Sequence, residues 1–422
     1  MSKYLTIISI ILLFFSSNAL AITLDEAIDL GLENSKEYKI EQYYLDSAKN
    51  NKKSGMSEFL PEISFSYQTG KKQNVRSDGS GLDSFRAERA NTLSLSQPIF
   101  NGMRGISTLK KGEAEYLAQK FKLEIFKREL ILKIINSYIE NLKFEKVAKL
   151  ARDNLTYYQK ILSQVKSKGS LVSENEIIDN KIGYYNAKRD LEELENNLVQ
   201  INLEYENLTG AKPQNLENIK DEMPLADLED LLQDMSINPE IMQKHQEVNS
   251  FKQAYWQELG NLSPKVNISA SYSDQENLVY LDGGDLASKS VFLEVKVPIF
   301  QKGNEYFGIK KAKYALKIKQ QEFDLTVTEV EKKFNQAFQN YHYAKKSYEQ
   351  IFDIFNLSKQ KLAKNQKSYN LKALSVISLL KAKIERNEAE IRFHEAKANL
   401  YTTYYKLKLL TSGFNNNVSN DE

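Results

Sequence analysis

The chain has 422 residues, with 58 Lys and Arg against 56 Asp and Glu, a formal net charge of +2, and no cysteine. A near-neutral balance gives no electrostatic footprint for nucleic acid or for an acidic surface. The missing thiols exclude disulfides, zinc-thiolate sites and a lipid anchor on an N-terminal cysteine.

Lys3 is followed by an apolar run from Ile7 to Phe15 and by small residues at Ala19 and Ala21. That is the pattern of a secretory signal cut after Ala21. The rival reading, an uncleaved anchor, needs roughly 20 apolar residues, and the run is far shorter. Beyond Ala21 no long apolar stretch occurs, so only a β-barrel could carry this chain through a bilayer.

The rest of the chain is written twice. Gln97-Pro98-Ile99-Phe100 recurs as Val297-Pro298-Ile299-Phe300, 200 positions later, and Leu208-Thr209-Gly210 recurs as Leu410-Thr411-Ser412-Gly413. Such a repeat overrides any domain count taken from length. We therefore expect a signal at 1–21, a first repeat at 22–210, a linker at 211–224, a second repeat at 225–413 and a polar tail at 414–422.

Each repeat reads as helix, two strands, and a long helical hairpin. In the first, an amphipathic helix from about Leu24 to Gly55 leads to strands at 59–70 and 91–100, then a hairpin at 103–208. Ile63, Phe65, Tyr67 and Thr69 alternate with Glu62, Ser64, Ser66 and Gln68, and Leu93, Leu95 and Ile99 are expected on one face of the next strand with Ser94 and Ser96 on the other. The second repeat places strands at 264–274 and 289–300 and a hairpin at 303–410. There Val266, Ile268, Ala270 and Tyr272 alternate with Asn267, Ser269, Ser271 and Ser273; Val291, Leu293, Val295 and Val297 alternate with Phe292, Glu294 and Lys296. Period two with one apolar face marks a strand. Around ten residues is the length a tilted barrel strand needs, although half of a soluble sandwich would look alike. The segments 71–89 and 274–289 are rich in Gly, Asp, Ser and Asn and read as polar loops.

The hairpins carry heptads. Val330, Phe334, Ala337, Tyr341, Ala344, Tyr348, Ile351 and Phe355 step by four and three, and a shift of 200 gives Leu130, Ile134, Ser137, Asn141, Phe144, Ala148, Ala151 and Leu155. The return helices repeat the spacing through Ile377, Leu380, Ile384, Asn387, Ile391, His394, Ala398 and Tyr401. No proline falls between Pro98 and Pro213 or after Pro298. The run from Met103 to Lys168 therefore makes about 100 Å of helix, beyond the size of a globule. Lys168-Gly169-Ser170 marks the first turn, and Ser173 with Glu176 reads as a capping box. The second turn lacks glycine, and Asn370 is the residue expected to be left-handed there.

Four strands cannot close a membrane barrel, which needs at least about eight, so copies must join. The fold class expected is an α+β membrane protein: a duplicated unit of long antiparallel helical hairpins plus four strands, contributing to an oligomeric β-barrel continuous with a helical tunnel.

Strand pairs ending in Pro-Ile-Phe at Pro98 and Pro298, the duplicated hairpins and the opening helix Leu24 to Asn34 together resemble the TolC family of efflux and secretion channels. The resemblance covers Ile22 to about Gly413. It implies a homotrimer with a twelve-stranded barrel in outer-membrane lipid, a periplasmic helical part, and docking to a periplasmic adaptor and an inner-membrane transporter. The function it implies is the exit duct of a tripartite efflux pump or type I secretion system. In that family, acidic rings often narrow the tunnel shortly after the second turn. Counted from Tyr369, those positions are Ser378 and Lys381 here, a departure from the pattern, while Glu174 and Glu176 on the first hairpin restore negative charge. The expectation is that Tyr369, Ser378, Lys381, Glu174 and Glu176 shape the tunnel entrance; the plain alternative is solvated turn residues.

No enzyme is expected. His245, His342 and His394 have no partner at metal-ligand spacing, and no nucleotide loop, nucleophile elbow or metalloprotease helix occurs. No cofactor or metal is implied. Tyr67 and Tyr272 suit an interfacial girdle, and Lys110-Lys111 and Lys310-Lys311 are solvated faces or lie near lipid head groups. The rival from another class is a periplasmic coiled-coil scaffold or adaptor without a pore, which leaves the four strands idle.

Overall fold

The computed structural model describes residues 21–72, 86–167, 173–219, 237–277, 286–300 and 302–411. Residues 1–20 of the expected signal, the Lys168-Gly169-Ser170 turn, residues 220–224 of the linker, the tail, most of the first polar loop and half of the second lie outside them. The elements in order are α1 (Leu24–Asn34), α2 (Lys36–Ser54), a short turn of tighter helix (Gly55–Phe59), β1 (Glu62–Lys72), β2 (Arg86–Asn101), α3 (Arg104–Ser167), α4 (Glu174–Thr209), α5 (Pro239–Gly260), β3 (Lys265–Asn277), β4 (Leu286–Lys296), α6 (Asn304–Asn370) and α7 (Val376–Leu410). α3 has 64 residues and α6 has 67. Among the described residues, no helix is long and apolar enough to cross a membrane.

The chain divides into two compact units, one of residues 1–40, 124–238 and 329–422, the other of residues 41–123 and 239–328. The second unit holds the sheet. Its strands lie in the order β1-β2-β3-β4, each pair antiparallel. The two hairpins are in equivalent register: Glu62 faces Ser96 in one, and Lys265 faces Lys296 in the other.

In the first unit the helices form a layer in the order α4-α3-α7-α6. Tyr138 of α3 meets Tyr205 of α4, ring centroids 6.5 Å apart. Ile161 and Val165 of α3 pack on Ile377, Leu380 and Ile384 of α7. The other side of α7, through Leu400, Tyr404 and Leu407, packs on Phe334, Ala337, Tyr341 and Ala344 of α6. α1 closes one end of the core: Thr23 and Glu26 form a reciprocal capping box, and Ala27 and Ile28 are fully buried against Leu130, Ile134 and Tyr138.

Several expectations need correction. The single helix expected from Leu24 to Gly55 is broken at Ser35, whose backbone is extended and whose Oγ accepts from Tyr38 N to cap α2. A serine can satisfy a helix start inside an otherwise periodic stretch. β2 begins at Arg86 rather than 91, because pairing with β1 continues as Thr69 with Arg89 and Lys71 with Ala87 after the apolar alternation has ended. β4 ends at Lys296 rather than 300, since its neighbour β3 starts at Lys265 and offers nothing beyond. At the second turn the left-handed residue is Lys372 (φ 60), not Asn370. Ala373 N donates to Ser368 O and Lys372 N to Tyr369 O, both at 2.9 Å. This nested pair leaves Asn370 as the last helical residue and puts the left-handed one two positions later.

Candidate functional site

Two surfaces carry the chemistry, and the first is the sheet. Alternation and register sort most of its side chains by polarity. One face holds Ile63, Phe65 and Tyr67 of β1, Leu93 and Leu95 of β2, Ile268, Ala270 and Tyr272 of β3, and Val291, Leu293 and Val295 of β4. The other face is a ladder of hydroxyls: Ser64, Ser94, Ser271 and Ser290 lie in one row across all four strands. Within it the Oγ atoms of Ser271 and Ser290 are 2.7 Å apart, and Thr92 Oγ1 is 3.1 Å from Ser273 Oγ.

The apolar rows run from Tyr67 to Val266 and Val295. Same-face residues are about 6.7 Å apart along a strand, so these rows span roughly 27 Å, or about 20 Å of height at a 40° tilt. That is comparable with the roughly 25 Å apolar belt of outer-membrane barrels. Tyr67 and Tyr272 sit at one end of this band and are exposed, as a girdle residue needs. An isolated soluble sheet would bury this face; here Ile63, Phe65, Leu93, Val291, Leu293 and Val295 are all exposed.

A bulge finishes the pattern. Register shifts between Pro98 and Phe100, so that Pro98 faces Asn267 on the polar side while Phe100 faces Val266 on the apolar side. With regular pairing in place of the bulge, Ile99 would face Val266 and Phe100 would turn to the polar side. The strand then turns into α3 through two left-handed residues, Gly102 (φ 69) and Met103 (φ 66), and the second repeat does the same with Lys302 (φ 61) and Gly303 (φ 78). At the first elbow the backbones touch: a Cβ on Gly260 would lie 2.2 Å from Gly102 O.

The second surface is the hairpin turns. Ser173 caps α4 by accepting from Glu176 N at 3.2 Å, and Ser375 caps α7 by accepting from Ser378 N at 3.1 Å. Glu176 and Ser378 therefore hold the same position in their helices, and Ser378 is occupied with capping, its Oγ 3.0 Å from Ser375 Oγ. By the same count Lys381 corresponds to Asp179, an exposed acid that reading the sequence for this site missed. The signal was available: the equal spacing of each residue from its capping serine. Ile177 of α4, Val165 of α3 and Ile377 of α7 share one apolar cluster, which brings the starts of α4 and α7 together. Glu174, Glu176, Ser378, Lys381 and Tyr369 are all exposed. Acids in the first turn of α4 also complement its dipole.

The histidines pack on rings. His342 stands edge-on to Phe338 at 4.5 Å, and His245 lies 6.0 Å from Phe323. His394 lines a cleft of about 90 Å³ with Ile139, Lys146 and Lys397. Burial holds its imidazole below the usual range, with Lys146 and Lys397 adding and Glu390 opposing. A larger groove, about 430 Å³, runs between α3, α4 and α7 over Ala151, Gly183 and Ala187, with Asp190, Glu193, Glu388 and Glu395 on its walls. Among the described residues no group of His, Cys, Asp and Glu is arranged to hold a metal ion.

Residues 27–210 match the family model described as "Outer membrane efflux protein". The chain is 21% identical over 355 residues to the alkaline protease secretion protein AprF of Pseudomonas aeruginosa, covering 77% of this chain and 72% of that one. Its fold is similar to the crystal structure of a membrane protein from Pseudomonas aeruginosa, at TM-score 0.80 and 13% identity over 93% of this chain and 90% of that one. It is similar also to the outer membrane protein VceC of Vibrio cholerae, at TM-score 0.77 and 12% identity over 93% and 96%. The two-faced strands, the paired hairpins and the matched residues 27–210 agree: the first half of the chain is similar in sequence to outer membrane efflux proteins, and the whole has the fold of the solved outer-membrane channels.

Proposed function

We propose that this protein is the outer-membrane exit duct of a tripartite efflux pump or type I secretion system. The observation that carries the proposal is the sheet: four strands with one lipid-compatible face, one hydroxyl-lined face, and outer edges on β1 and β4 that no described strand pairs. An open edge in hydrocarbon leaves backbone groups unsatisfied, so several copies must complete the barrel, and three give twelve strands. The hydroxyl face then lines the water-filled lumen. The helical layer has the same property. α4 exposes Ile178, Ile182, Tyr185, Val199 and Leu203, while α6 exposes Tyr343, Ile354 and Leu357. Both are edge helices whose outer sides suit a neighbouring copy.

A periplasmic adaptor and an inner-membrane transporter complete the path, and the acidic groove over Gly183 suits a helix of the adaptor. At the hairpin turns Lys381 and Ser378 replace an acidic ring with a weakly cationic one, balanced by Glu174, Glu176 and Asp179, with Tyr369 beside them. A pore-less scaffold would give the exposed apolar sheet face no role. In cells, the protein should stay in the outer-membrane fraction through an alkaline wash and leave only with detergent; release by the wash would refute the duct. Reconstituted in planar bilayers it should conduct, and Lys381→Asp should shift its reversal potential toward cation selectivity; an unchanged potential would remove Lys381 from the constriction.

A further inference from the structure

The chain contains a template for its own junction with the next copy. Residue pairs across β1-β2 and β3-β4 are equivalent, Ile63 with Leu95 in one and Val266 with Val295 in the other. The geometry of the sheet thus equates β1 with β3 at an offset of 203 and β2 with β4 at an offset of 200. β2 and β3 are themselves paired, and that pairing is where one repeat meets the other. We infer that β4 pairs with β1 of the next copy in the register that β2 keeps with β3. The inference rests on the duct reading above and specifies its seam.

Carrying the offsets over, Ser94 with Ser271 becomes Glu294 with Gln68, and Ser96 with Ser269 becomes Lys296 with Ser66. Leu95 with Ala270 becomes Val295 with Tyr67, and Phe100 with Val266 becomes Phe300 with Ile63. These four transferred pairs keep apolar residues on one face and polar residues on the other, and no like charges oppose each other among them. The seam also covers residues that the single chain leaves bare: Ile299 is 95% exposed and Phe300 76%.

One pair gives an independent check. Phe292 is the single aromatic residue on the hydroxyl face among the described strand residues, and it is 65% exposed. Gly70 is the single glycine in the four strands, with no atom within 4 Å of where its Cβ would be. Each is anomalous alone: a large ring among serines, and a residue that weakens a strand. In the transferred register, Thr92 with Ser273 becomes Phe292 with Gly70 of the next copy. An aromatic ring lying over a cross-strand glycine shields the bare backbone there, so the two anomalies account for each other. A slip of two residues, the smallest that preserves both faces, takes the ring off the glycine.

The helices below the sheet repeat the relation. α3 lies on α5, with Gln257 Nε2 donating to Thr108 Oγ1 at 2.8 Å. The next copy of this junction would join α6, which exposes Phe307, Tyr314 and Ile318, to α2, which exposes Tyr43 and Tyr44.

The chain has no cysteine, so paired cysteines report the register directly. Four double variants, expressed in the full-length protein and oxidised in native membranes, suffice: Glu294→Cys with Gln68→Cys, Lys296→Cys with Ser66→Cys, and the two crossed combinations. A disulfide needs Cβ atoms about 4 Å apart, and a two-residue slip displaces them by roughly 6.7 Å. The first two variants should give interchain cross-links several-fold more abundant than the crossed two. Dominance of either crossed pair would overturn the register while leaving the duct intact. Absence of cross-links in all four overturns the seam, and if the same protein also leaves the membrane in an alkaline wash the duct reading falls with it. As a second readout, Phe292→Ser should lower the temperature at which the oligomer dissociates and Phe292→Tyr should not; equal behaviour of the two removes the ring from the seam.

Discussion

Asn154 and Asn387 show how single polar residues align the long helices. They are 8% and 2% exposed, and Asn387 Nδ2 donates to Asn154 Oδ1 at 2.8 Å between α3 and α7. A buried amide left without its partner costs about 1–3 kcal/mol, whereas replacing both can be nearly neutral. Asn387→Leu should therefore lower the thermal stability, and Asn154→Leu with Asn387→Leu should recover most of it; an additive second loss would show that the pair does not couple. Gly260 is constrained by backbone rather than by packing. Its missing Cβ lets Gly102 O approach, so Gly260→Ala should destabilise by on the order of 2 kcal/mol and lower the yield of membrane-inserted protein. Tyrosines set an alkaline limit. Burial pushes the Tyr405 phenol up to about 12 and also raises Tyr138, whose hydroxyl lies 2.7 Å from the carbonyl oxygens of Ile22 and Glu217. An unfolded tyrosine ionises near 10. The unfolded state therefore sheds protons first, so stability is full below about pH 10 and falls as pH rises towards 12. A thermal-unfolding series across that window should show the fall, and Tyr405→Phe should make it shallower.

At the scale of elements, the amount legible in the sequence depended on how many neighbours each element has. The line Val330, Phe334, Ala337, Tyr341, Ala344 and Phe355, read as a heptad, is the buried line of α6, because α6 has one neighbour in the layer. α7 lies between two helices and buries a second stripe, Leu379, Ala382, Ala389, Ala396, Leu400, Tyr404 and Leu407, beside the one its heptad announced. Nothing in the local periodicity says that a helix will be flanked on both sides; that is a tertiary fact. Strand faces were legible because period two fixes them residue by residue. The bulge at Ile99 was not, since it depends on register with β3. At the turns, the capping serines were visible in one hairpin and overlooked in the other, and with them the correspondence of Asp179 to Lys381. The exposed sides of the edge helices make a prediction of their own. Ile182→Asp or Leu357→Asp should reduce the oligomeric fraction while leaving helical content by circular dichroism unchanged; loss of helicity would place those residues inside the fold of one chain instead.

At the scale of the molecule, duplication is the organising fact. Two copies of a helix, strand pair and hairpin lie side by side in one chain, joined through β2 with β3 and through α3 with α7. Neither repeat can hide its apolar sheet face, and the pair still leaves two strand edges and two helix flanks bare. These follow from one arrangement, in which further copies continue the series until it closes on itself. Closure of that kind turns the polar sheet face inward, with its serine and threonine hydroxyls and the charges of Glu62, Glu294 and Lys296. The mass of the detergent-solubilised complex, measured by native mass spectrometry, tests this most directly. The account predicts three chains in one stable particle; a folded monomer that stays soluble once detergent is removed would contradict it.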